Sequence, residues 1–349
     1  MGDALPRRGL VIGKFMPLHK GHELLLAFAK QCCQELTVAV DCLAGEETSP
    51  ATRLRHVMEA VSGVRGAALP RRMPQTPEEH PLFWDVWRDA LIELCGGGPP
   101  DVLIASMTYG APLAKALGCP FIPFDFDRDA IGMSAALIRT DPALHWDALS
   151  TPARELYARR ACLMGPESTG KSTLGMRLAA DLGTVCVPEY AKSLIAANGG
   201  SFSAADALPA ALGQARSEKA ALLATGPLMI LDTDPLTTLA WSLTLFGSAP
   251  EALERLVAAS PPPDLTLLFD PHLPWVLGPH RSVSPDSGAP SARLAFFDLC
   301  VELLSRSGRP FQIVSGSHED RRRQCLAACQ ELLRQPPRSP KPLWPCAGE

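Results

Sequence analysis

The sequence predicts an α/β protein with two domains, each built on a parallel β-sheet. The chain has 349 residues, enough for two domains of about 150 residues, and 46% of its residues are apolar. In both halves short apolar runs alternate with amphipathic helical patterns, as in parallel sheets that helices cover on both faces. In each half, one apolar run leads into a glycine-containing loop and then into a helical pattern, which is typical of phosphate-binding sites. Two such loops predict two nucleotide-dependent reactions.

The first half contains apolar runs that predict strands, with helical patterns between them. The predicted strands are LVIGKF, ELTVAVDCL, DVLIAS and CPFIPFDF. The predicted helices are GHELLLAFAKQCCQ, SPATRLRHVMEAV, FWDVWRDALIELC, APLAKALG and the start of a helix in MSAALIRTD. Because helical patterns separate the strands, we expect the strands to pair in parallel.

The second half repeats this alternation after a polar stretch, and we place the domain boundary near Thr151. Its predicted strands are ACLMG, TVCVPEY, PLMILDTD, DLTLLFD and FQIVSG. The two predicted domains therefore span residues 1–150 and 151–334. The tail, residues 335–349, holds five prolines and is predicted to be disordered.

Charge and composition exclude several classes of protein. A net charge of −4 and a pI of about 6.1 argue against binding of nucleic acid through phosphate attraction. No apolar stretch approaches the roughly 20 residues that cross a bilayer, and the start of the chain lacks the apolar region of a signal peptide, so we expect a cytoplasmic protein. The 11 cysteines are scattered without a CxxC pair and are predicted to be free thiols. A homo-oligomer is compatible with the sequence.

The first glycine-containing loop, GKFMPLHKGHE at residues 13–23, places two histidines at a helix start. His19 and His22 can both face one phosphate and stabilise charge on phosphorus, as imidazolium ions or as N–H donors. Lys14 adds a positive charge, and Gly13 lets the backbone approach a ligand closely. We therefore predict that His19 and His22 are catalytic residues of a phosphate-transfer site.

The pattern FxPxHxGH, which includes Phe15, resembles the nucleotidyltransferase superfamily, whose second signature is ISxTxxR near the end of the domain. In MSAALIRTDP, Ser134 and Arg139 stand at the matching positions, while Ala136 replaces the threonine. The resemblance implies a Rossmann-like nucleotidyltransferase fold, in which this arginine and the adjoining helix start hold the triphosphate of ATP. The implied ATP-binding residues are Gly13, Lys14, Phe15, Ser134 and Arg139. The missing threonine hydroxyl removes one hydrogen bond, worth about 0.5–1.5 kcal/mol.

The segments FWDVWRDAL and SMTYG resemble the nicotinamide mononucleotide adenylyltransferase domain of NadR-type proteins. Trp84 and Trp87 can lie on one helix face, and either could stack on a nicotinamide ring or pack in the core. The resemblance also implies that Tyr109 contacts the substrate, and Met107 replaces an acidic residue of the family. Only eight residues precede Gly9, so we expect no helix-turn-helix ahead of this domain.

The second loop, GPESTGKST at residues 165–173, fits the P-loop pattern GxxxxGK[ST] between a predicted strand and a predicted helix. Its backbone N–H groups would hold the phosphates of ATP, Lys171 would reach the β and γ oxygens, and Ser172 would bind Mg²⁺. The predicted ATP-binding residues of this loop are Gly165, Glu167, Ser168, Thr169, Gly170, Lys171, Ser172 and Thr173.

Acidic residues follow two predicted strands of the second half, where the carboxyl ends of parallel strands line a ligand crevice. Asp232 is predicted to bind Mg²⁺ together with Ser172. Glu189 and Asp234 are alternatives, since either could bind a ribose diol or activate a hydroxyl. We predict that Lys171, Glu189 and Asp232 are catalytic.

The second half resembles the ribosylnicotinamide kinase domain of the same NadR-type proteins, through its P-loop, VPEYA, the GQ pair at 213–214, DTDPLTT and PWV. The resemblance implies a P-loop kinase fold. The implied riboside contacts are Tyr190, Asp234 and Trp275. The implied lid arginines, which would contact ATP, are Arg281 and Arg293. Leu277 replaces an acidic residue of the family.

Together the two resemblances imply an enzyme of NAD salvage that uses Mg²⁺ as cofactor and ATP as substrate. One domain would phosphorylate nicotinamide riboside, and the other would join nicotinamide mononucleotide to AMP, giving NAD and pyrophosphate. Two alternatives remain at this stage. The same folds could act on another phosphorylated acceptor, such as a pantetheine or riboflavin phosphate, or the chain could be a nucleotide-sensing, transporter-coupled regulator.

Overall fold

The computed structural model describes residues 5–41, 48–69, 71–125, 132–274 and 289–336. Within these ranges the chain divides after Tyr157 into two compact units, here called unit 1 and unit 2. The sequence predicts the boundary near Thr151, but the turn that follows Thr151 packs in unit 1, where Glu155 accepts a hydrogen bond of 2.7 Å from His56. Of the proline-rich tail, residues 337–349 lie outside the described residues.

Unit 1 is built on a parallel β-sheet. Its described strands are β1 (Arg8–Gly13), β2 (Glu35–Val40), β3 (Arg65–Ala68), β4 (Val102–Ala105) and β5 (Phe121–Pro123). They pair in the order β3-β2-β1-β4-β5. The chain runs outwards from β1 to β3 and then returns to the other side of β1. The crevice at the carboxyl ends of β1 and β4 is therefore the place where sheets of this kind bind ligands.

Helices cover the sheet of unit 1. Within its described ranges they are α1 (Lys20–Gln31), α2 (Pro50–Ala60), α3 (Phe83–Leu94), α4 (Gly110–Leu117) and α5 (Ala135–Thr140). One core cluster joins the sheet to α3 and α4 through Leu10, Leu103, Leu91 and Leu117, which are at most 4% exposed. Each leucine buried in this way contributes roughly 1.5–3 kcal/mol to folding.

Unit 2 contains a second parallel sheet. The strands in the described part of this unit are β6 (Arg159–Met164), β7 (Cys186–Val187), β8 (Leu228–Leu231), β9 (Leu265–Phe269) and β10 (Phe311–Val314). Their order is β10-β9-β6-β8-β7, so β8 pairs directly with β6. The P-loop follows β6, so the residues that follow β8 lie beside the P-loop.

Helices cover both faces of the second sheet. Those that the structure describes are α6 (Lys171–Asp181), α7 (Tyr190–Ala197), α8 (Ala207–Ala221), α9 (Pro235–Phe246), α10 (Glu251–Ala259), α11 (Pro290–Arg306) and α12 (His318–Arg334). One core cluster packs Leu163 against α6 and α12. The other packs Met164 and Leu268 against α9 and α11.

The two parallel sheets confirm the predicted fold class. Strand β3 is an element that the sequence does not predict, because RGAA lacks an apolar run and is only half-buried. Strand β7 is shorter than the predicted TVCVPEY, since Pro188 has no N–H to donate to a neighbouring strand. None of the described helices combines the length and apolar composition that a bilayer crossing requires.

Candidate nucleotide sites

The HxGH loop holds its two histidine rings side by side at the start of α1. The His19 side chain caps the helix, because its Nδ1 accepts a hydrogen bond of 3.1 Å from the Gly21 N–H. The N–H of His22 donates to the His19 carbonyl over 2.8 Å. The two ring centroids are 3.8 Å apart. Both histidines that the sequence singles out therefore lie on the wall of one cavity.

The protonation of His22 bears on which chemistry the pair can perform. Burial lowers the pKa of His22 well below its ordinary value of 6.5, and His19 beside it lowers the pKa further. Among the described residues, its buried Nδ1 has no hydrogen-bond partner. At neutral pH His22 is therefore a neutral ring, and it can stabilise charge developing on phosphorus as an N–H donor rather than as an imidazolium ion.

A cavity of about 360 Å³, here called the phosphate cavity, collects residues of both nucleotidyltransferase signatures. Its walls include Lys14, Phe15, His19, His22, Ser134, Ala136 and Arg139. Arg139 donates to the Met16 carbonyl, and Ser134 caps α5 by accepting a 3.2 Å hydrogen bond from the Leu137 N–H. The volume is in the range of small-molecule sites. The fold thus brings together two motifs that are distant in sequence.

The sequence resemblance implies that Gly13 contacts ATP, but in the structure this glycine has a packing role. A Cβ at Gly13 would lie 2.9 Å from the ring of Phe15. Phe15 is 1% exposed and has a positive φ of 50°. Gly13 therefore makes room for the Phe15 ring, and it lines the neighbouring cavity rather than the phosphate cavity.

A second cavity, of about 200 Å³ and here called the aromatic cavity, adjoins the first at Lys14, which lines both. Its apolar walls include Phe83, Trp84, Trp87, Met107, Tyr109 and Leu113. Trp87 is 8% exposed, and its Nε1 donates to the Pro74 carbonyl over 2.9 Å, so it is a core residue at the cavity's edge. Trp84 is half-buried and packs edge-on against Phe83 with ring centroids 4.8 Å apart. Of the two tryptophans, Trp84 is the better candidate for stacking on a ligand.

Polar residues that the sequence analysis did not single out also line the aromatic cavity. Asp41 follows β2, is 3% exposed, and accepts a hydrogen bond of 3.0 Å from Gln75 Nε2. Its place at the carboxyl end of a strand was a usable signal, whereas Gln75 lies in a proline-rich stretch without a pattern. Met107 brings a thioether to this cavity, and Asp41 is the carboxylate among its lining residues.

Residues 149–155, here called the connecting segment, lie against the HxGH loop. Leu149 forms an antiparallel bridge with His19, and the Ser150 N–H donates over 3.2 Å to the carbonyl of the residue before His19. The Ser150 hydroxyl donates to the Glu23 carboxylate in α1. The backbone that carries the histidines is therefore held by a part of the chain with no motif of its own.

The P-loop of unit 2 depends on its glycines. Gly165 and Gly170 have φ angles of 135° and 84°, which side chains other than glycine rarely adopt. A Cβ at Gly165 would also lie 2.6 Å from the Phe269 carbonyl oxygen. The Thr169 hydroxyl donates to the Pro166 carbonyl over 2.9 Å. These features fix the loop in the bent form that turns backbone N–H groups towards an anion.

Lys171 turns back over this loop. Its Nζ donates to the Gly165 and Pro166 carbonyls over 2.7 and 2.6 Å. Burial lowers the pKa of Lys171 from its ordinary value of 10.5, and the Asp232 carboxylate opposes that effect. The other predicted members of the loop, which are partly or fully exposed, are Glu167, Ser168 and Thr173.

The predicted metal ligands and the predicted base gather around one lysine. Ser172 Oγ donates to Asp232 Oδ2 over 2.7 Å. Lys192, one helical turn after Glu189, donates to Ser172 Oγ over 2.8 Å and to Asp232 Oδ2 over 3.0 Å. Its Nζ also lies 3.2 Å from Glu189 Oε2. The sequence analysis did not single out Lys192, although its spacing from Glu189 in a helix was a usable signal.

The charges of this cluster suit a cation site. Burial raises the pKa of Glu189 above its ordinary 4.5, while Lys192 acts against the rise. Burial alone would lower the pKa of Lys192, but Glu189 and Asp232 outweigh burial and raise it above 10.5. Hydroxyl and carboxylate oxygens are the donors that Mg²⁺ prefers, and here they already surround an ammonium group. Ser172 and Asp232 therefore fit the role of Mg²⁺ ligands.

Asp234 has a structural position that argues against the predicted ribose contact. Its Oδ1 accepts a hydrogen bond of 2.9 Å from the Thr237 N–H, which caps α9. Its Oδ2 lies 2.7 Å from the Arg309 guanidinium, and the residue is 3% exposed. Both Asp234 oxygens are bonded inside the fold, whereas the Glu189 side chain is 25% exposed, so Glu189 is the better placed of the two to meet a substrate hydroxyl.

Gly213 and Gln214 of α8 contact Tyr190 and hold it in place. Its N–H donates to Gln214 Oε1 over 2.9 Å. A Cβ at Gly213 would lie 2.1 Å from the Tyr190 ring, so only glycine leaves space for the ring there. The tyrosine is 37% exposed and can still meet a ligand.

Arg293 is buried in the fold, whereas the sequence resemblance implies that it is a lid arginine that contacts ATP. It lies in α11, is 5% exposed, and donates to the Leu273 carbonyl over 2.9 Å. An arginine held in this way does not extend towards a nucleotide. The other predicted contacts of that region, Trp275 and Arg281, lie outside the described residues, as does Leu277.

Comparison with known proteins finds relatives that match nearly the whole chain. A family profile described as an AAA domain matches residues 160–321. The trifunctional NAD biosynthesis/regulator protein NadR of Salmonella typhimurium is 26% identical over 95% of this chain and 86% of its own length. The protein of the same name from Escherichia coli is 27% identical over 96% of this chain and 85% of its own length.

Two solved structures share the fold. The crystal structure of a NadR protein in complex with NR aligns with a TM-score of 0.71 and 23% identity, covering 95% of this chain and 97% of that one. The structure of a NadR protein in complex with NAD and AMP-PNP aligns with a TM-score of 0.70 and 22% identity, covering 94% and 96%. As the sequence resemblance predicts, the chain is similar to the NadR proteins along nearly its whole length.

Proposed function

We propose that the protein is a bifunctional enzyme that phosphorylates nicotinamide riboside and adenylylates nicotinamide mononucleotide. The observation that carries this proposal is two separately assembled candidate phosphate sites in a chain that is similar to the NadR proteins. One is the cavity where HxGH meets Ser134 and Arg139, and the other is the P-loop with its carboxylates. The product of the second site is the substrate of the first, so one chain would convert the riboside to NAD.

In unit 2 the 5′-hydroxyl of the riboside would attack the γ-phosphorus of ATP. Glu189 would accept the hydroxyl proton, and its raised pKa brings it closer to neutrality, where general bases act best. Lys171 and the P-loop N–H groups would hold the phosphates. Mg²⁺, held by Ser172 and Asp232, would neutralise phosphate charge. Tyr190 would contact the riboside from the start of α7.

In unit 1 the phosphate of nicotinamide mononucleotide would attack the α-phosphorus of a second ATP, and pyrophosphate would leave. His19 and His22 would donate N–H groups to the oxygens on which charge develops. Arg139 and Lys14 would neutralise the triphosphate. Trp84 would stack on the nicotinamide ring in the aromatic cavity, which adjoins the phosphate cavity. Because both reactions consume ATP, we place the enzyme in the cytoplasm.

The test is turnover by the purified chain, followed by chromatographic separation of the products. With nicotinamide riboside and MgATP, we expect nicotinamide mononucleotide, NAD and pyrophosphate to form. Lys171→Ala should abolish phosphorylation of the riboside and leave adenylylation of added nicotinamide mononucleotide nearly intact. His22→Ala should do the reverse. Loss of both activities in either folded variant would contradict the two-site assignment.

Parallel reactions should offer 4′-phosphopantetheine and riboflavin phosphate as acceptors. We expect adenylylation of these compounds to be far slower, because the aromatic cavity offers Trp84 for a flat, positively charged ring. Faster turnover with either compound would assign unit 1 to that acceptor instead.

A further inference from the structure

The kinase site contains a cationic residue beyond those that the proposed phosphoryl transfer uses. Lys192 Nζ lies 2.8 Å from Ser172 Oγ, 3.0 Å from Asp232 Oδ2 and 3.2 Å from Glu189 Oε2. A single ammonium group therefore bridges a hydroxyl from α6, a carboxylate just after β8 and a carboxylate just before α7. The hydroxyl and the nearer carboxylate are also the oxygens that fit Mg²⁺.

The other lysine of this site acts on these carboxylates only through space, because its hydrogen bonds go elsewhere. Lys171 Nζ is bonded to the P-loop carbonyls of Gly165 and Pro166. Asp232 is 4% exposed, and a carboxylate so deeply buried is costly without an opposite charge. The ion pair that the described residues provide for it is the one with Lys192. Because the Lys192 side chain is 42% exposed, it can leave this place without repacking the core.

An ammonium group and Mg²⁺ cannot occupy this position together. Mg²⁺ binds oxygen at about 2.0–2.1 Å and takes an octahedral set of ligands. The Lys192 nitrogen already lies within hydrogen-bond distance of the same oxygens of Ser172 and Asp232. A metal ion that enters must therefore displace the lysine, and the displaced charge needs a new partner.

We propose that Lys192 holds the metal position of the nucleotide-free protein and moves to phosphate oxygens when metal and nucleotide enter. The proposal rests on the kinase function assigned above. Metal alone would have to expel an ammonium group from two carboxylates. A triphosphate offers the expelled group new anionic partners, so metal and nucleotide should bind with positive coupling. Lys192 would then be a positioning residue that makes the site assemble only with both ligands present.

Binding of Mn²⁺, a paramagnetic substitute for Mg²⁺, tests the proposal without turnover. Free Mn²⁺ would be measured by electron paramagnetic resonance in titrations of the whole chain, with and without AMP-PNP. We expect Lys192→Met to bind Mn²⁺ about tenfold more tightly than the unsubstituted protein when nucleotide is absent. The factor by which AMP-PNP tightens Mn²⁺ binding should shrink correspondingly in the variant.

Two further variants sharpen the test. Lys219→Met removes the same charge from an exposed position in α8 and should leave Mn²⁺ binding unchanged. The double variant Lys192→Met, Asp232→Asn should lose the gained affinity, which would place the metal at Asp232. Thermal unfolding and circular dichroism check the fold, and Lys192→Gln takes the place of the methionine variant if that variant does not fold.

Equal Mn²⁺ affinity in the Lys192→Met variant and the unsubstituted protein would overturn the proposal. So would a gain that persists in the double variant. Neither result depends on riboside phosphorylation. A protein that shows the expected Mn²⁺ coupling but does not phosphorylate the riboside would refute the proposed substrate and leave the role of Lys192 standing.

Discussion

The two tryptophans of α3 differ in burial, so we expect them to differ in their contribution to substrate binding, which can be tested. Trp84→Ala should raise the KM for nicotinamide mononucleotide roughly two- to tenfold, since a lost aromatic contact costs about 0.5–1.5 kcal/mol. We expect kcat to change little, because stacking on the ring is equal in the ground state and the transition state. Steady-state adenylylation kinetics measure both constants.

Trp87→Phe is the matched control for this prediction. It removes the 2.9 Å hydrogen bond to Pro74 and should lower the melting temperature without selectively raising KM. The opposite pattern, with KM raised by Trp87→Phe and unaffected by Trp84→Ala, would assign the stacking role to Trp87.

Glu218 should make the stability of unit 2 depend on pH. Burial raises its pKa from 4.5 to about 7, and the Arg160 guanidinium 3.6 Å away opposes the rise. A carboxyl whose folded pKa is raised contributes stability that is complete below about pH 4.5 and is lost as the pH rises through about 7. The free energy of unfolding should fall by up to about 3 kcal/mol across this window. Glu218→Gln should remove that fall.

Calorimetric unfolding between pH 5 and pH 8 compares the two proteins for this purpose. We expect the stability of the glutamine variant relative to the unsubstituted protein to rise from pH 5 to about pH 7 and then to level off. Parallel pH profiles would show that Glu218 titrates in its ordinary range.

The sequence could predict single site residues only where a motif or a strand end marks them. The P-loop pattern and the end of a predicted strand mark Lys171, Ser172 and Asp232 in the sequence. The structure brings Ser172 and Asp232 together by a hydrogen bond. The partner of Asp234 could not be predicted, since Arg309 is far away in the sequence and belongs to no motif. Asp234 is therefore predicted to bind substrate, because the sequence does not reveal its ion pair with Arg309.

At the scale of elements, apolar runs predict the described strands except β3, which lies at one edge of the first sheet. Strand β1 is buried over most of its length, and its run LVIG was recognisable. Strand β3, at the edge of the same sheet, has half-buried or exposed residues and no apolar run. Because the residues of β3 are small or charged and only half-buried or exposed, this strand carries no apolar signal.

Helix α2 and the connecting segment together hold the HxGH loop from two sides. Arg53 donates to the Lys14 carbonyl over 2.5 Å from α2. The same helix binds Glu155 through His56 and Arg55. The connecting segment in turn bridges the HxGH backbone. Residues outside the HxGH motif therefore hold the backbone that carries the two histidines.

We expect Ser150→Ala and Glu155→Gln each to lower kcat for adenylylation roughly three- to tenfold, with KM for ATP and nicotinamide mononucleotide nearly unchanged. The reason is that small misplacement of catalytic groups lowers the rate more than it weakens binding. Both constants come from steady-state kinetics, and the riboside kinase activity of the same preparation is the internal control.

Ser150→Thr, which keeps the hydroxyl that donates to Glu23, should restore most of kcat. A rise in KM at constant kcat would mean that the connecting segment contributes to binding instead. An equal loss of kinase activity would point to general unfolding.

In the whole molecule, the same arrangement occurs twice. Each unit places its phosphate loop after a strand inside the sheet, with β1 between β2 and β4 and β6 between β9 and β8. The alternation of strands and helices could predict two parallel sheets and the loops that bind. The order of the strands depends on contacts between distant elements, so the patterns of single segments could not predict it.

Each unit also has its own core, so the two activities should lose thermal stability separately. Leu103 is fully buried in the core of unit 1, and Leu163 is fully buried under the P-loop helix of unit 2. Replacing a buried leucine by alanine costs about 2–5 kcal/mol, which lowers the melting temperature of a domain of this size by roughly 5–15 °C. We expect Leu103→Ala to lower the midpoint of thermal inactivation for adenylylation alone, and Leu163→Ala to lower it for the kinase alone. Assays of both activities after heating aliquots of each variant to a series of temperatures give the four midpoints. If either substitution lowers both midpoints by the same amount, the two units unfold as one cooperative body, and separate cores do not give separate stabilities.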